Sequence, residues 1–203
     1  MWSGRMRSTV TITAALALTV GLAGLAARAE TALGRTVHDA ANQITIDVPA
    51  GWTVQTPSGN IALKATAPAA GKTLPDSVDV VVRSTLFGMN TSEACEQKAM
   101  WVTQHLGHIA FTTLSAGPAT VNGYPAYLHV YTWNASTGEM RWSEQVCVVK
   151  QGRAYVLTGT TADTVETIAV RSEELRQIID SFTILPQATA PAELGGPSPA
   201  RGH

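Results

Sequence analysis

Apolar and polar residues alternate over residues 44–48 (Ile44-Thr-Ile-Asp-Val48), the two-residue period of a strand with one buried face. The run breaks at Pro49-Ala-Gly51 and resumes at Trp52-Thr-Val54. Residues 60–66 and 77–85 read as further strands, the second so rich in valine that it predicts burial on both faces. The period then changes: Asn90 stands as a helix cap, Glu93 holds the reciprocal capping-box position, and Cys95, Ala99, Val102 and Leu106 recur on one helical face. Three more strands are predicted over 124–134, 139–150 and 153–161, joined by turns at Ala135-Ser-Thr-Gly138 and Gln151-Gly152. Asp163 as cap, with Glu166 three residues on, opens a closing helix whose stripe runs through Val165, Ile168, Ala169, Ser172, Leu175 and Ile179. This order predicts an α+β domain in which a central, mainly antiparallel sheet is flanked by helices.

The two ends of the chain do not share this patterning. Residues 1–29 combine a basic start (Arg5, Arg7), an apolar middle from Thr9 to about Ala27 and the small-x-small end Ala27-Arg28-Ala29, the three parts of a secretory signal cleaved before Glu30. Thr11, Thr13, Thr19, Gly21 and Gly24 dilute that middle, whereas a permanent span wants about 20 strongly apolar residues. No cysteine lies near the cleavage point to carry a lipid, so the expected product is extracytoplasmic (periplasmic, lumenal or secreted) without a stable membrane span. Residues 186–203 are rich in Pro, Ala and Gly with no apolar period, and are expected to be a disordered tail. Residues 30–185 between them suit a single domain.

Removing the signal changes the charge. It holds three of the fourteen basic residues (Arg5, Arg7, Arg28) and none of the fifteen acidic ones, leaving eleven against fifteen. A domain about four charges negative argues against non-specific binding to nucleic acid or anionic lipid. The two cysteines, Cys95 and Cys147, would be exported to an oxidising compartment, where an even count suggests a bridge.

A four-residue loop at 135–138 would pair Asn134 with Glu139 and so place Tyr131 opposite Trp142, His129 opposite Glu144 and Ala126 opposite Cys147. One face then carries Leu128, Val130, Cys147, Val149, Ala154 and Val156, small apolar residues suited to receiving a helix, so that Cys147 could meet Cys95; two buried free thiols are the alternative. The opposite face gathers Tyr127, His129, Tyr131, Trp133, Met140, Trp142, Glu144, Tyr155 and Leu157, with Gly159 beside Glu144. Of these, His129, Tyr131, Trp133, Trp142 and Glu144 are the candidate ligand-binding residues of an aromatic recess. The plainer alternative is a face covered by the closing helix, with His129 and Glu144 an ordinary cross-strand pair. A slip of one residue would disperse the set.

Familiar catalytic signals are missing. Ala70-Gly71-Lys72-Thr73 imitates the end of a phosphate loop, but Thr66 stands where the first glycine belongs and Pro75 interrupts the helix that should follow. His105 and His108 lack a third ligand in sequence, and nothing marks Asp76 and Asp79 as an acid-base couple. There is no Gly-x-Ser-x-Gly, no His-Glu-x-x-His and no Cys-x-x-Cys. No enzyme activity, cofactor or metal is therefore expected.

Ile46-Asp-Val-Pro-Ala-Gly-Trp52, a Val-rich strand backed by a helix, Val121-Asn-Gly-Tyr-Pro-Ala126 leading into a meander, and a closing helix ending Ile178-Ile-Asp-Ser-Phe182 together resemble the PsbP-like superfamily, closest to its bacterial DcrB and LpqN branches. The resemblance covers nearly all of residues 36–185, and its motifs are short and mostly structural, strand ends and turns. It implies an α/β/α sandwich and a non-catalytic, exported accessory or binding role whose partner is another extracytoplasmic protein. The chain departs from those two branches in lacking a lipobox cysteine. A small-molecule carrier using the aromatic face is the alternative, and a hydrolase with an unrecognised site a more distant one.

Overall fold

A computed structural model describes residues 33–55, 58–72, 74–85, 90–91, 93–97, 110–162 and 164–186. The predicted signal (residues 1–29), residues 187–203 of the predicted tail, the second half of the first predicted helix (with Ala99, Val102, Leu106, His105 and His108) and Asp163 lie outside the described residues. Two antiparallel sheets replace the single one expected. The smaller is ordered β1 (Leu33–Asp39), β2 (Ile44–Pro49) and β10 (Thr183–Ile184). The larger runs β3 (Thr53–Gln55), β4 (Ile61–Thr66), β5 (Ser77–Ser84), β9 (Arg153–Ala162), β8 (Met140–Lys150), β7 (Tyr124–Asn134), β6 (Thr112–Val121). Of these, β1, β6 and β10 have no counterpart among the predicted strands.

The alternation in β2 is read directly: Ile44, Ile46 and Val48 are fully buried, while Thr45 and Asp47 between them are partly exposed. Gly51 then takes φ 84°, a value that favours glycine, and Trp52 turns back onto the core. In β5 the valine run is buried on one face, not both: Val78 and Val80 are fully buried, but Asp79 and Val81 are only partly so. The tight turns at Asn122-Gly123 and Gln151-Gly152 have positive φ at all four residues, as two-residue hairpins require.

The closing helix, α1 (Val165–Asp180), is capped by Thr164, whose side chain accepts from the Thr167 N–H, one residue later than predicted. Leu175, Ile178 and Ile179 are buried against the large sheet, and the absence of a side chain at Gly159 makes room, since a Cβ there would lie 3.1 Å from Leu175 Cβ. At the helix end the Ser181 hydroxyl donates to Ile178 O (2.6 Å) and accepts the Asp47 N–H (2.8 Å), joining α1 to β2. Phe182 follows, fully buried with its ring 5.7 Å from that of Tyr155. Burying each such side chain stabilises the fold by about 1.5–3 kcal/mol. Buried Asp76 accepts from Lys72 (2.8 Å) and from the Thr161 hydroxyl (2.8 Å) and faces Arg171 of α1 (3.4 Å), fixing the 67–76 loop over that end of the sheet. No helix among the described residues is long and apolar enough to cross a membrane.

On the other side of the large sheet, the predicted capping box is present: the Glu93 N–H donates to Asn90 Oδ1 (2.9 Å), and the Asn90 N–H to Glu93 Oε2 (3.3 Å). Residues 91 and 93–97 are helical, and Cys95 is disulfide-bonded to Cys147 of β8, with Cα atoms 5.7 Å apart.

Candidate functional site

The register of β7 against β8 decides what the sheet presents. Asn134 pairs with Met140, so the loop has five residues, closed by Ala135 N–H to Glu139 O (2.9 Å) and Gly138 N–H to Ala135 O (2.8 Å), with Gly138 at φ 81°. Relative to a four-residue loop, every partner on β8 moves by one. Tyr131 lies opposite Ser143, Thr132 opposite Trp142, His129 opposite Gln145, Val130 opposite Glu144 and Tyr127 opposite Cys147. The β8–β9 pairing is as expected, with Glu144 beside Gly159. Because side chains alternate, the slip divides the candidate set: His129, Tyr131 and Trp133 share one face, while Trp142 and Glu144 occupy the other.

The inner face, under α1, holds Trp142 and Glu144 among Leu128, Val146, Val148, Tyr155 and Leu157. Glu144 Oε2 accepts from Arg176 Nη2 of α1 at 2.6 Å, an ion pair that ties helix to sheet. Burial raises the Glu144 pKa, Arg176 opposes the rise, and Asp180 and Glu173 add to it. The sign for stability follows from linkage. A carboxyl with a raised folded pKa contributes stability that is fully present below its unfolded value, about 4.3, and is lost as pH rises through the folded pKa. Subtracting the stability of Glu144→Gln from that of the wild type should give a difference that grows on acidification from neutral pH towards that value. Urea melts at successive pH values measure it, and a difference that shrinks on acidification contradicts the assignment.

The outer face is organised as cross-strand rows. Thr66, Ser77, Thr160, Ser143, Tyr131 and Thr113 are successive register partners across six strands, a row of hydroxyl groups. Beside it runs Lys64, Asp79, Thr158, Gln145 and His129. A third row contains Val81, Val156, Cys147 and Tyr127, and the disulfide brings the 93–97 helical segment onto this row.

Several polar groups of the outer face are bonded to one another. Trp133 Nε1 donates to Ser143 Oγ (3.0 Å), which shares a hydrogen bond with Thr160 Oγ1 (3.0 Å), and Gln145 Nε2 donates to Thr158 Oγ1 (3.1 Å). Phe111 stacks on Tyr131 with centroids 4.8 Å apart, and the His129 ring is 4.9 Å from that of Tyr131. Burial pushes the Tyr131 hydroxyl up to about 12, Ser143 opposing and Asp79 reinforcing the shift. His129 is 3% exposed; its Nε2 meets the Thr113 hydroxyl at 3.0 Å, and burial lowers its pKa. Nδ1 is buried and has no hydrogen-bond partner among the described residues.

Beyond Trp133 the outer face opens into a recess of ≈ 270 Å³. Lys64 and Thr66 of β4, Ser77 and Asp79 of β5, Trp133 and Arg141 line it, together with Leu74 and Pro75. Arg141 holds the rim: its guanidinium donates to Leu74 O (2.8 Å), Pro75 O (3.0 Å) and Glu139 Oε1 (2.9 Å). Asp79 has its pKa raised by burial, against the opposing pull of Lys64. Of the sequence candidates only Trp133 lines the recess. The rest comes from β4, β5, β8, β9 and the 74–75 loop, which share no local motif. Among the described residues, no group of three or more His, Cys, Asp or Glu side chains could hold a metal ion.

No protein-family model and no curated protein sequence matches the chain. Solved structures do match in fold. Cyanobacterial PsbP (CyanoP) from Synechocystis sp. PCC 6803 is similar with a TM-score of 0.55 at 10% identity, over 74% of this chain and 91% of that one. LpqN of Mycobacterium tuberculosis, described as involved in cell envelope biogenesis, gives 0.52 at 18% identity over 75% and 90%. The Saccharomyces cerevisiae Ran-binding protein Mog1p gives 0.52 at 12% identity over 74% and 95%. Two antiparallel sheets closed by a helix, matched over nine-tenths or more of each of these structures, give this chain the PsbP-like fold.

Proposed function

We propose that this protein is an exported, non-catalytic accessory or binding protein that acts on another protein of the cell envelope or lumen. The observation that carries the reading is the division of the candidate residues. His129 and Glu144, the pair best suited to acid-base work, face opposite sides of one sheet, and each is already engaged, His129 with Thr113 and Glu144 with Arg176. They cannot act together on one substrate, which counts against this pair as the acid-base couple of a hydrolase. Fold likeness adds weight by analogy: one protein of this shape is described as Ran-binding and another as serving cell envelope biogenesis. The buried Cys95–Cys147 bridge fits export to an oxidising compartment. On this reading residues 1–29 are the removed signal, 30–185 the domain, an α/β/α sandwich with the Cys95 helix on its outer face, and 186–203 the tail. The recess favours a second reading, a small-molecule carrier.

Expression of the full chain with a C-terminal tag, followed by intact-mass measurement and cross-linked capture from the envelope fraction, tests the proposal. The expected result is a product beginning at Glu30 and repeated recovery of one specific protein. An unprocessed product confined to the cytoplasm, or repeated capture of nothing, overturns it.

A further inference from the structure

The recess beside Trp133 is a polar site whose own groups leave a particular kind of bond unmade. Lys64 and Asp79 face each other across β4 and β5 with Nζ and Oδ1 3.5 Å apart, longer than the roughly 2.7–2.9 Å of a tight charge-assisted hydrogen bond. Both side chains are partly exposed, 39% and 27%. Next to them, Thr66 Oγ1 is buried and has no hydrogen-bond partner among the described residues. A buried hydroxyl left unpaired is costly and gains from any ligand that supplies a donor or acceptor.

The other lining groups narrow the choice. Trp133 has its N–H committed to Ser143, so its ring surface is what remains for a ligand. The Arg141 guanidinium is engaged by two backbone carbonyls and Glu139, so it is not a free anion site. Thr160 is bonded to Ser143. Among the described residues, the recess therefore offers Lys64 as the cation not held by other groups of the rim and Asp79 as the carboxylate, and their charges cancel. A carboxylate ligand would be drawn to Lys64 and repelled by Asp79; an ammonium ligand would meet the reverse. A neutral planar group with acceptor and donor side by side satisfies both. In a carboxamide the oxygen accepts from Lys64, the NH₂ donates to Asp79 and to Thr66 Oγ1, and the plane lies on the Trp133 ring. At ≈ 270 Å³ the volume falls just below the roughly 300–1,000 Å³ of pockets for drug-sized ligands, which suits one side chain.

We propose that the recess receives the carboxamide of an Asn or Gln side chain presented by the partner protein, making Lys64, Thr66, Asp79 and Trp133 the anchor point of the interface. This rests on the protein-binding reading above and names its site.

Titration of the full chain with capped tripeptides Ala-Xaa-Ala, where Xaa is Gln, Glu, Lys or Leu, is followed at the Trp133 indole and Lys64 resonances. The Gln peptide should give a saturable shift at least about tenfold tighter than the other three, and Thr66→Val and Asp79→Ala should each weaken it. Amide spectra establish that the variants fold, and Thr66→Val, nearly isosteric, carries the test if Asp79→Ala does not. No saturable shift with Gln, equal binding of Glu, Lys or Leu, or tighter binding of free glucose than of the Gln peptide overturns the assignment. Partner capture separates the two readings. A partner retained equally by both variants sinks the recess and leaves the protein-binding reading intact. Failure to capture any partner sinks that reading, while the peptide series still judges the recess.

Discussion

Replacing Arg141 by Ala should lower the folding stability by about 2–4 kcal/mol, the sum of unpaired acceptors and lost packing of its stem. The side chain is only 2% exposed, yet it donates to Leu74 O, Pro75 O and Glu139 Oε1, binding a loop to β8 at the rim of the recess. Truncation leaves both carbonyls to find water or remain unbonded. Arg141→Met separates the two contributions, because it restores the apolar stem and not the fork; it should recover less than half of the loss. Arg141→Lys keeps the charge but presents a single point donor, and one ammonium cannot reproduce the planar pattern of bonds. Urea unfolding of the three variants reads these differences. A loss under about 1 kcal/mol for Arg141→Ala would show that the 74–75 loop is held elsewhere, by the Lys72–Asp76–Thr161 bonds for example.

Local patterning carried most of the strands and little of the site. The meander was legible because β7, β8 and β9 alternate strongly and are separated by short polar turns; the predicted 124–134 coincides with β7 as observed. Thr112–Val121 was missed for a physical reason. It is an edge strand exposed along most of its length, so Thr-Thr-Leu-Ser-Ala-Gly-Pro-Ala-Thr-Val has no buried face to impose alternation. The β7–β8 register failed on one residue: Ala135-Ser-Thr-Gly138 fits a four-residue loop as well as one that also takes in Glu139, and only the bond closing Ala135 to Glu139 distinguishes them. That residue moves Trp142 and Glu144 beneath α1 and leaves His129, Tyr131 and Trp133 on the outer face. The recess was illegible for a related reason. Lys64, Asp79, Trp133, Arg141 and Thr160 stand on five strands, and only the long-range order β4-β5-β9-β8-β7 brings them to one side.

Removing both bridge cysteines, as Cys95→Ala with Cys147→Ala, should cost about 4 kcal/mol in the chain-entropy account, given the 52-residue separation it closes. Among the described residues, the elements the bond connects otherwise touch through a small cluster: Cys95, Cys147 and Val156, with Val81, Tyr127 and Val149 packed around them. A cluster of that size holds residues 93–97 more weakly than ladder pairing on both edges holds β8 and β9. The loss should therefore be uneven. Amide exchange in residues 93–97 should accelerate far more than in β8 or β9, whose backbone groups remain paired with strands on both sides. Burial also governs the chemistry: both sulfurs belong to residues 2–3% exposed, so a thiol reductant should leave the native bridge intact and cleave it once denaturant opens the sheet. Rapid reduction of the folded protein, or uniform acceleration of exchange across β8 in the double variant, would contradict a staple buried between segment and sheet. The Ser143–Thr160 hydroxyl row lies two rows from the Tyr127–Cys147 row, with the row of Asp79, Thr158, Gln145 and His129 between them. Loss of the bridge should accordingly loosen the covered end while the Trp133–Ser143–Thr160 bonds, and the recess they support, persist.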